Sequence, residues 1–212
     1  PSPAAFKSMT KNGYDFIYSG WKHIFPIKLG EILKLKRKKN ALLDKIYNPF
    51  LIFNFLEKSS FYEVEPIDFI ERYTSEIIGK NSVLRDEIFV NWRFNNYEKY
   101  YPGVEIFALN EDLFYTGYFG GNTYYIGDFK VKNSFDFLRI IFDIYNRYKN
   151  QKVLRVRFVN NFKGKSKWLM FLGFVKFRTR TKIIFFTTDN NLKLKIKEKG
   201  FNYSYLDSDE NI

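Results

Sequence analysis

Three short apolar and aromatic runs follow one another in the middle of the chain: "VEIFAL", "LFYTGYF" and "TYYIGDF", within residues 104–129. Asn110-Glu111-Asp112 separates the first two and Gly120-Gly121-Asn122 the last two. Such clusters close hairpins, so the segment reads as a three-stranded meander. The hydrophobic period then changes. In "NSFDFLRIIFDIYNRYKN", Phe137, Leu138, Ile141, Ile144, Tyr145 and Tyr148 recur at intervals of three and four. That spacing lines one face of a helix over 134–149, with Asn133 as its cap and Asp136 three residues on. Beyond it come a strand at "VLRVRFV", a short helix at "KGKSKWLMFLGF" ended by Gly173, a long strand at "VKFRTRTKIIFFTT" and a last strand at "GFNYSYLDSD".

Upstream, "SFYEVEPID" reads as a strand with a turn. "DFIERYTSEII" places Ile70, Tyr73 and Ile77 on one helical face. "RDEIFVNWRFN" does the same with Ile88, Phe89 and Trp92, and its Asp86 and Glu87 stand where the helix dipole favours acids. At the start of the chain, a Ser-Pro helix opening is followed by a stop at Asn12-Gly13, then a strand-like run from Tyr14 to Ile24 ended by Pro26. Between these parts lies a helical connector. Its stripe (Leu29, Ile32, Leu33) breaks at Lys36-Arg37-Lys38-Lys39 and resumes at Leu42, Leu43 and Ile46. From residue 50 the order is β-α-α-β-β-β-α-β-α-β-β, a mixed α/β sheet.

Composition narrows the chemistry. With 45% hydrophobic residues, 25 Phe and 16 Tyr in 212 residues, the chain can bury an aromatic-rich core. The absence of cysteine excludes disulfides and thiol catalysis and suits a reducing compartment, the cytoplasm. The single histidine, His23, cannot build a multi-histidine metal site, and Asp207 and Asp209 lack a partner cluster, so no metal is expected. No apolar run reaches the ~18 residues of a spanning helix. The net charge of +12 points to an anionic partner, or to nothing more than lysine-rich coding. Lys176, Arg178, Arg180 and Lys182 alternate along one strand and so share a face, which Arg155 and Arg157 extend. No motif for sequence-specific nucleic-acid recognition accompanies them.

The element order, together with "DEIFVNWRFNNYEKYYPGVEIFAL", "TYYIGDF", "WLMFLGF" and "YSYLDSD", resembles GNAT-type N-acyltransferases, in particular the second half of tandem-GNAT proteins of bacterial surface-polysaccharide clusters. The resemblance covers roughly residues 50–210. "FKSMTKNGYDFI" echoes "WLMFLGFVKF", as an internal repeat would. The expected organisation is therefore the tail of a preceding, truncated GNAT domain at 1–28, a helical linker at 29–49 and a GNAT-like domain at 50–212. The missing initial methionine fits a chain that continues upstream, and the partner so implied is the N-terminal GNAT domain.

The resemblance also implies a cofactor, acetyl-coenzyme A or another acyl-coenzyme A, held by a Gln/Arg-x-x-Gly-x-Gly/Ala loop between the fourth strand and the third helix. Small residues there let backbone N–H groups reach the pyrophosphate. This chain reads "DFKVKNSFDFLR" at that place, with Val131 and Phe135 where small residues are wanted. Lys130 and Lys132 are the candidate phosphate contacts, or a solvated lysine pair. Asp128 is either a general base or acceptor ligand at the strand end, or a solvated turn residue. Trp92 and Arg93 either stack on and clamp an acceptor, or fill the core and cap the helix. The sequence thus points to an acceptor-shaping, non-catalytic half of an N-acyltransferase acting on a small-molecule acceptor, or alternatively to a basic polyanion-binding module.

Overall fold

A computed structural model of the chain describes residues 3–27, 60–66, 68, 81–82, 86–91, 94, 103–148, 151, 153, 155–160, 174–199 and 201–202. Helix α1 (Pro3–Lys11) leads into β1 (Asp15–Pro26). The stop falls at Gly13, whose φ of 84° is the left-handed conformation that a helix end asks of glycine, and the Tyr14 N–H reaches back to the Met9 carbonyl at 3.1 Å. Strands β2 (Tyr62–Glu63) and β3 (Asn81–Ser82) precede the short helix α2 (Glu87–Val90). The meander follows as β4 (Glu105–Asn110), β5 (Leu113–Gly120) and β6 (Thr123–Lys130). Then come α3 (Ser134–Tyr148), β7 (Arg155–Asn160), β8 (Val175–Phe185), α4 (Asn190–Lys199) and β9 (Phe201–Asn202).

Seven strands form one sheet in the order β2-β4-β5-β6-β7-β1-β8, and β3 pairs with β9 in a separate parallel ribbon. Within the large sheet only β6 and β7 run parallel. The fold is of the α+β class, with a mixed, mostly antiparallel sheet. Antiparallel neighbours need only tight turns, and the sequence supplies them: Glu111-Asp112 closes β4–β5, and Gly121-Asn122, with Gly121 at φ 58°, closes β5–β6. The parallel pair needs a crossover, which α3 provides.

Both faces of the sheet are covered, so the central strands are buried almost continuously rather than alternately. On one face Phe25, Phe107, Tyr115, Tyr124, Ile126, Val156 and Phe158 pack with Phe137, Leu138, Ile141 and Ile144 of α3. On the other, Ile106, Ala108, Phe114, Tyr118, Tyr125 and Val159 pack with Val64, Phe89 and Phe94. Asn133 caps α3 as its position suggests: the N–H groups of Phe135 and Asp136 donate to its Oδ1 at 2.8 and 3.0 Å.

Strand β1 is hydrogen-bonded between β7 and β8, so segment 1–28 supplies the sixth strand of a sheet whose other six come from 50–212. Other expectations change. Ile88 does not share the buried stripe of Phe89 but is 79% exposed, because adjacent helix positions point apart and only Phe89 faces the sheet. Residues 190–199, to which the pattern assigned no element, form helix α4 with Asp189 as its cap, accepting from the N–H groups of Asn191 and Leu192. The last strand is only two residues long in its described part. Register also divides the basic face. His23 lies opposite both Phe158 and Lys176, whereas Ile24 lies opposite both Arg157 and Val175. Partners in register share a face, so Lys176 and Arg157 are on opposite sides of the sheet. The connector 29–49, the face of Ile70, Tyr73 and Ile77, the helix ended by Gly173, and Asp207 and Asp209 lie outside the described residues.

Candidate functional site

The parallel strands touch only briefly. Thr123, Tyr124 and Tyr125 pair with Arg155, Val156 and Arg157, and past that point β6 stays with β5 while β7 stays with β1. The sheet therefore opens between Ile126–Lys130 and Phe158–Asn160. A β-bulge marks the opening. Tyr115 faces Phe129 and Gly117 faces Ile126, so the single residue Thr116 stands opposite both Gly127 and Asp128. Its hydroxyl fixes the bulge, accepting from the Asp128 N–H at 2.8 Å and donating to the Asp128 carbonyl at 3.2 Å.

Asp128 is thereby a strand residue, 4% exposed, and not a solvated turn residue. A carboxylate kept from water at the edge of a widening gap can accept a hydrogen bond or a proton from a ligand that enters there. The bulge interrupts the two-residue alternation: Ile126 and Phe129 both pack on the α3 side, so Asp128, beside Phe129, turns to the opposite face, that of Thr123, Tyr125, Arg155 and Arg157.

The loop between β6 and α3 is differently built. The ammonium groups of Lys130 and Lys132 both meet the carboxylate of Asp112 in the β4–β5 turn, Lys130 at 3.4 Å. Lys132 and Lys130 together hold the Asp112 carboxyl below its ordinary range. The first amides of α3 are occupied by Asn133, whose carbonyl also accepts from the Phe137 N–H at 3.4 Å. Phe135 stands half exposed at the helix mouth, with the Arg139 guanidinium 5.4 Å from its ring centre. An acyl-coenzyme A pyrophosphate needs approachable amides and uncommitted cations at this place. The residues present do not fit that group: the amides are capped and the lysines are paired with an acid.

Trp92 and Arg93 lie outside the described residues. Their neighbours Phe89 and Phe94 are buried core, and Asp86 caps the turn by accepting from the Phe89 N–H at 2.8 Å.

A second polar cluster, not singled out by the sequence, lies on the α3 face. Tyr124 and Tyr148 donate their hydroxyls to Glu105 Oε2, and Tyr115 donates to Asp143 Oδ2 at 2.6 Å. Arg147 Nε donates to the same Asp143 oxygen at 2.7 Å, its Nη2 reaches the Phe61 carbonyl at 2.5 Å, and its guanidinium lies 4.0 Å from the centre of the Phe107 ring. Burial raises the Glu105 and Asp143 carboxyls above their ordinary values, against the hydrogen bonds they receive, and pushes the Tyr115, Tyr124 and Tyr148 hydroxyls up. The only sequence signal was the i,i+4 spacing of Asp143 and Arg147; the tyrosines read simply as core. Among the described residues no group of three or more His, Cys, Asp and Glu is placed to hold a metal, and no helix is long and apolar enough to cross a membrane.

No protein-family profile matches the chain, and no curated protein matches it. Among solved structures it is similar to a functionally unknown conserved protein from Staphylococcus epidermidis, at 11% identity and a TM-score of 0.45, over 86% of this chain and 66% of that one. The chain thus spans just under two thirds of that protein's length.

Proposed function

We propose that this chain is the acceptor-shaping, non-catalytic part of an acyltransferase-like protein of the GNAT type. Two features of its fold support that reading: a meander followed by a crossover helix, and a parallel pair that splays beside a β-bulge carrying a buried aspartate. The observation that carries the non-catalytic half of the proposal is the start of α3. There Asn133 takes the amide donors and Asp112 takes Lys130 and Lys132. A widened gap with Asp128 at its edge suits a small acceptor molecule, while the place for a coenzyme pyrophosphate is already filled by the chain's own groups.

Titration calorimetry with acetyl-coenzyme A at two salt concentrations tests this. Binding should be absent or weak, and any residue of it should fade with salt, because exposed cations are screened over about 8 Å at physiological ionic strength. Salt-insensitive binding well below about 10 μM would overturn the reading and make Asp128 the first residue to replace. The excess of 35 basic over 23 acidic residues favours a second reading, a polyanion-binding module. Retention on heparin through moderate salt, with no acyl transfer by any longer form of the protein, would select it.

A further inference from the structure

Arg155 and Arg157 stand two residues apart at the start of β7, on one face of the sheet and opposite Thr123 and Tyr125 of β6. Both are partly buried. Arg155 Nε donates to the hydroxyl of Thr123 at 2.8 Å, and that threonine is itself 1% exposed. Arg157 Nη1 donates to the Tyr125 hydroxyl at 3.4 Å, with its guanidinium 5.6 Å from the ring centre. Thr123, the hydrogen-bond partner of Arg155, is neutral. Among the described residues the two terminal nitrogens of Arg155 make no hydrogen bond and no ion pair. Desolvation, then the neighbouring charge of Arg157, lowers the affinity of Arg155 for its proton. A guanidinium half removed from water beside a like charge is costly unless something negative joins it.

Lys22 of β1 lies on the same face, in register with Val159, two residues beyond Arg157. Among the described residues of this face, Tyr118 and Tyr125 stack with centres 5.3 Å apart, and Val159 is buried beside them. A fork of parallel N–H donors, anchored at its root by a buried hydroxyl and flanked by a second fork, matches an oxyanion with several acceptor oxygens.

We propose that Arg155 and Arg157 form a binding site for a phosphate group, carried by inorganic phosphate or by a small phosphomonoester. The site is at the amino-terminal end of the parallel pair, away from the α3 loop, and does not depend on the acyltransferase reading. The face is that of Asp128, so a phosphorylated ligand seated here would extend along the sheet toward the opening between β6 and β7.

The test uses the whole chain in phosphate-free buffer. Inorganic phosphate, phenyl phosphate and acetate are titrated calorimetrically at matched ionic strength, with the wild type, Arg155→Gln, Arg157→Gln and, as a charge-matched control on exposed α1, Lys7→Gln. Saturable phosphate binding is expected, weakened about tenfold or more by either arginine change and less than about twofold by Lys7→Gln. Tighter binding of phenyl phosphate would identify an ester as the source; equal binding would identify free phosphate. Should an arginine variant fail to fold, the wild type alone decides: phosphate should slow modification of Arg155 by phenylglyoxal, read by peptide mass spectrometry, and leave Arg139 unaffected. The proposal is overturned by the absence of saturable binding, by an equal response to acetate, by an equal loss in Lys7→Gln, or by unprotected Arg155.

Discussion

Gly117 shows how tightly single positions are set. It lies on β5 opposite Glu105 and Ile126, and a Cβ added there would collide with Cε1, Cζ and the hydroxyl of Tyr124. That ring cannot retreat, because it is fully buried, stacked on Tyr148 at 5.1 Å and met edge-on by Phe119 at 5.0 Å. Gly117→Ala should therefore cost ~1–3 kcal/mol in urea unfolding, as overpacking does; an unchanged midpoint would show that the tyrosine stack is loose. Glu105 beside it gives a pH prediction. Burial raises its carboxyl, so the folded state holds that proton more firmly than the unfolded state, whose ordinary value is 4.5. The stability it contributes is complete below 4.5 and is lost as pH rises through the raised value. Glu105→Gln keeps an acceptor for the Tyr124 and Tyr148 hydroxyls but does not titrate. It should gain stability relative to the wild type as pH rises above 4.5, and a constant difference would mean that Glu105 ionises as freely as in water. None of this was visible in the sequence. A glycine among aromatics and an acid at a strand start carry no period, and their meaning comes from which strand lies alongside. Asp128 was legible as a residue near the end of its strand, but its burial was not, since a bulge is invisible until Thr116 is opposite it.

Where period and caps agree, the elements were legible. Helix α3 and the three-strand meander follow from Asn133, the stripe through Ile141 and Ile144, and the turns at Glu111-Asp112 and Gly121-Asn122. Local pattern failed where long-range pairing decides. The alternation of Leu192, Leu194 and Ile196 is not a helical period, yet Asp189 caps a helix there, and Lys193 and Lys197 reach Asp15 at the start of β1. Likewise the run 15–26 reads as a strand, but nothing local says that it enters the sheet between β7 and β8. Its position has consequences. Phe25 is fully buried against Phe174 at 4.8 Å, and Phe25→Ala should cost ~3–5 kcal/mol through the cavity it leaves. Amide exchange should agree: the backbone of Lys22–Phe25, paired throughout with β7 and at His23 and Ile24 also with β8, should be protected to a degree comparable with β5 and β6. Fast exchange at Ile24 and Phe25, with β5 slow, would mean that β1 opens independently of the sheet.

At the scale of the whole molecule, charge is the property that both the sequence and the structure leave dominant. The 35 basic residues exceed the 23 acidic ones by twelve, so at least twelve cations cannot each have a carboxylate of their own. Salt acts on this molecule in two opposing ways. It weakens surface ion pairs such as Lys193–Asp15 and Lys130–Asp112, which water already screens. It also screens the mutual repulsion of the excess cations, which favours expansion of the chain. The shared acids decide which effect wins. Asp15 and Asp112 each serve two lysines, so they relieve repulsion locally while leaving the surplus elsewhere on the surface. Relief of repulsion should therefore outweigh the weakening of the pairs, and the melting temperature should rise as sodium chloride increases from about 0.05 M to about 0.5 M, over which the screening length falls to a few ångströms. A gain of about 1 kcal/mol corresponds to ~2–4 °C for a chain of this size. The salt must be chloride, because phosphate would add the specific effect expected at Arg155 and Arg157. A melting temperature that falls steadily with chloride would show that the paired acids, not the surplus cations, set the electrostatic balance of the fold.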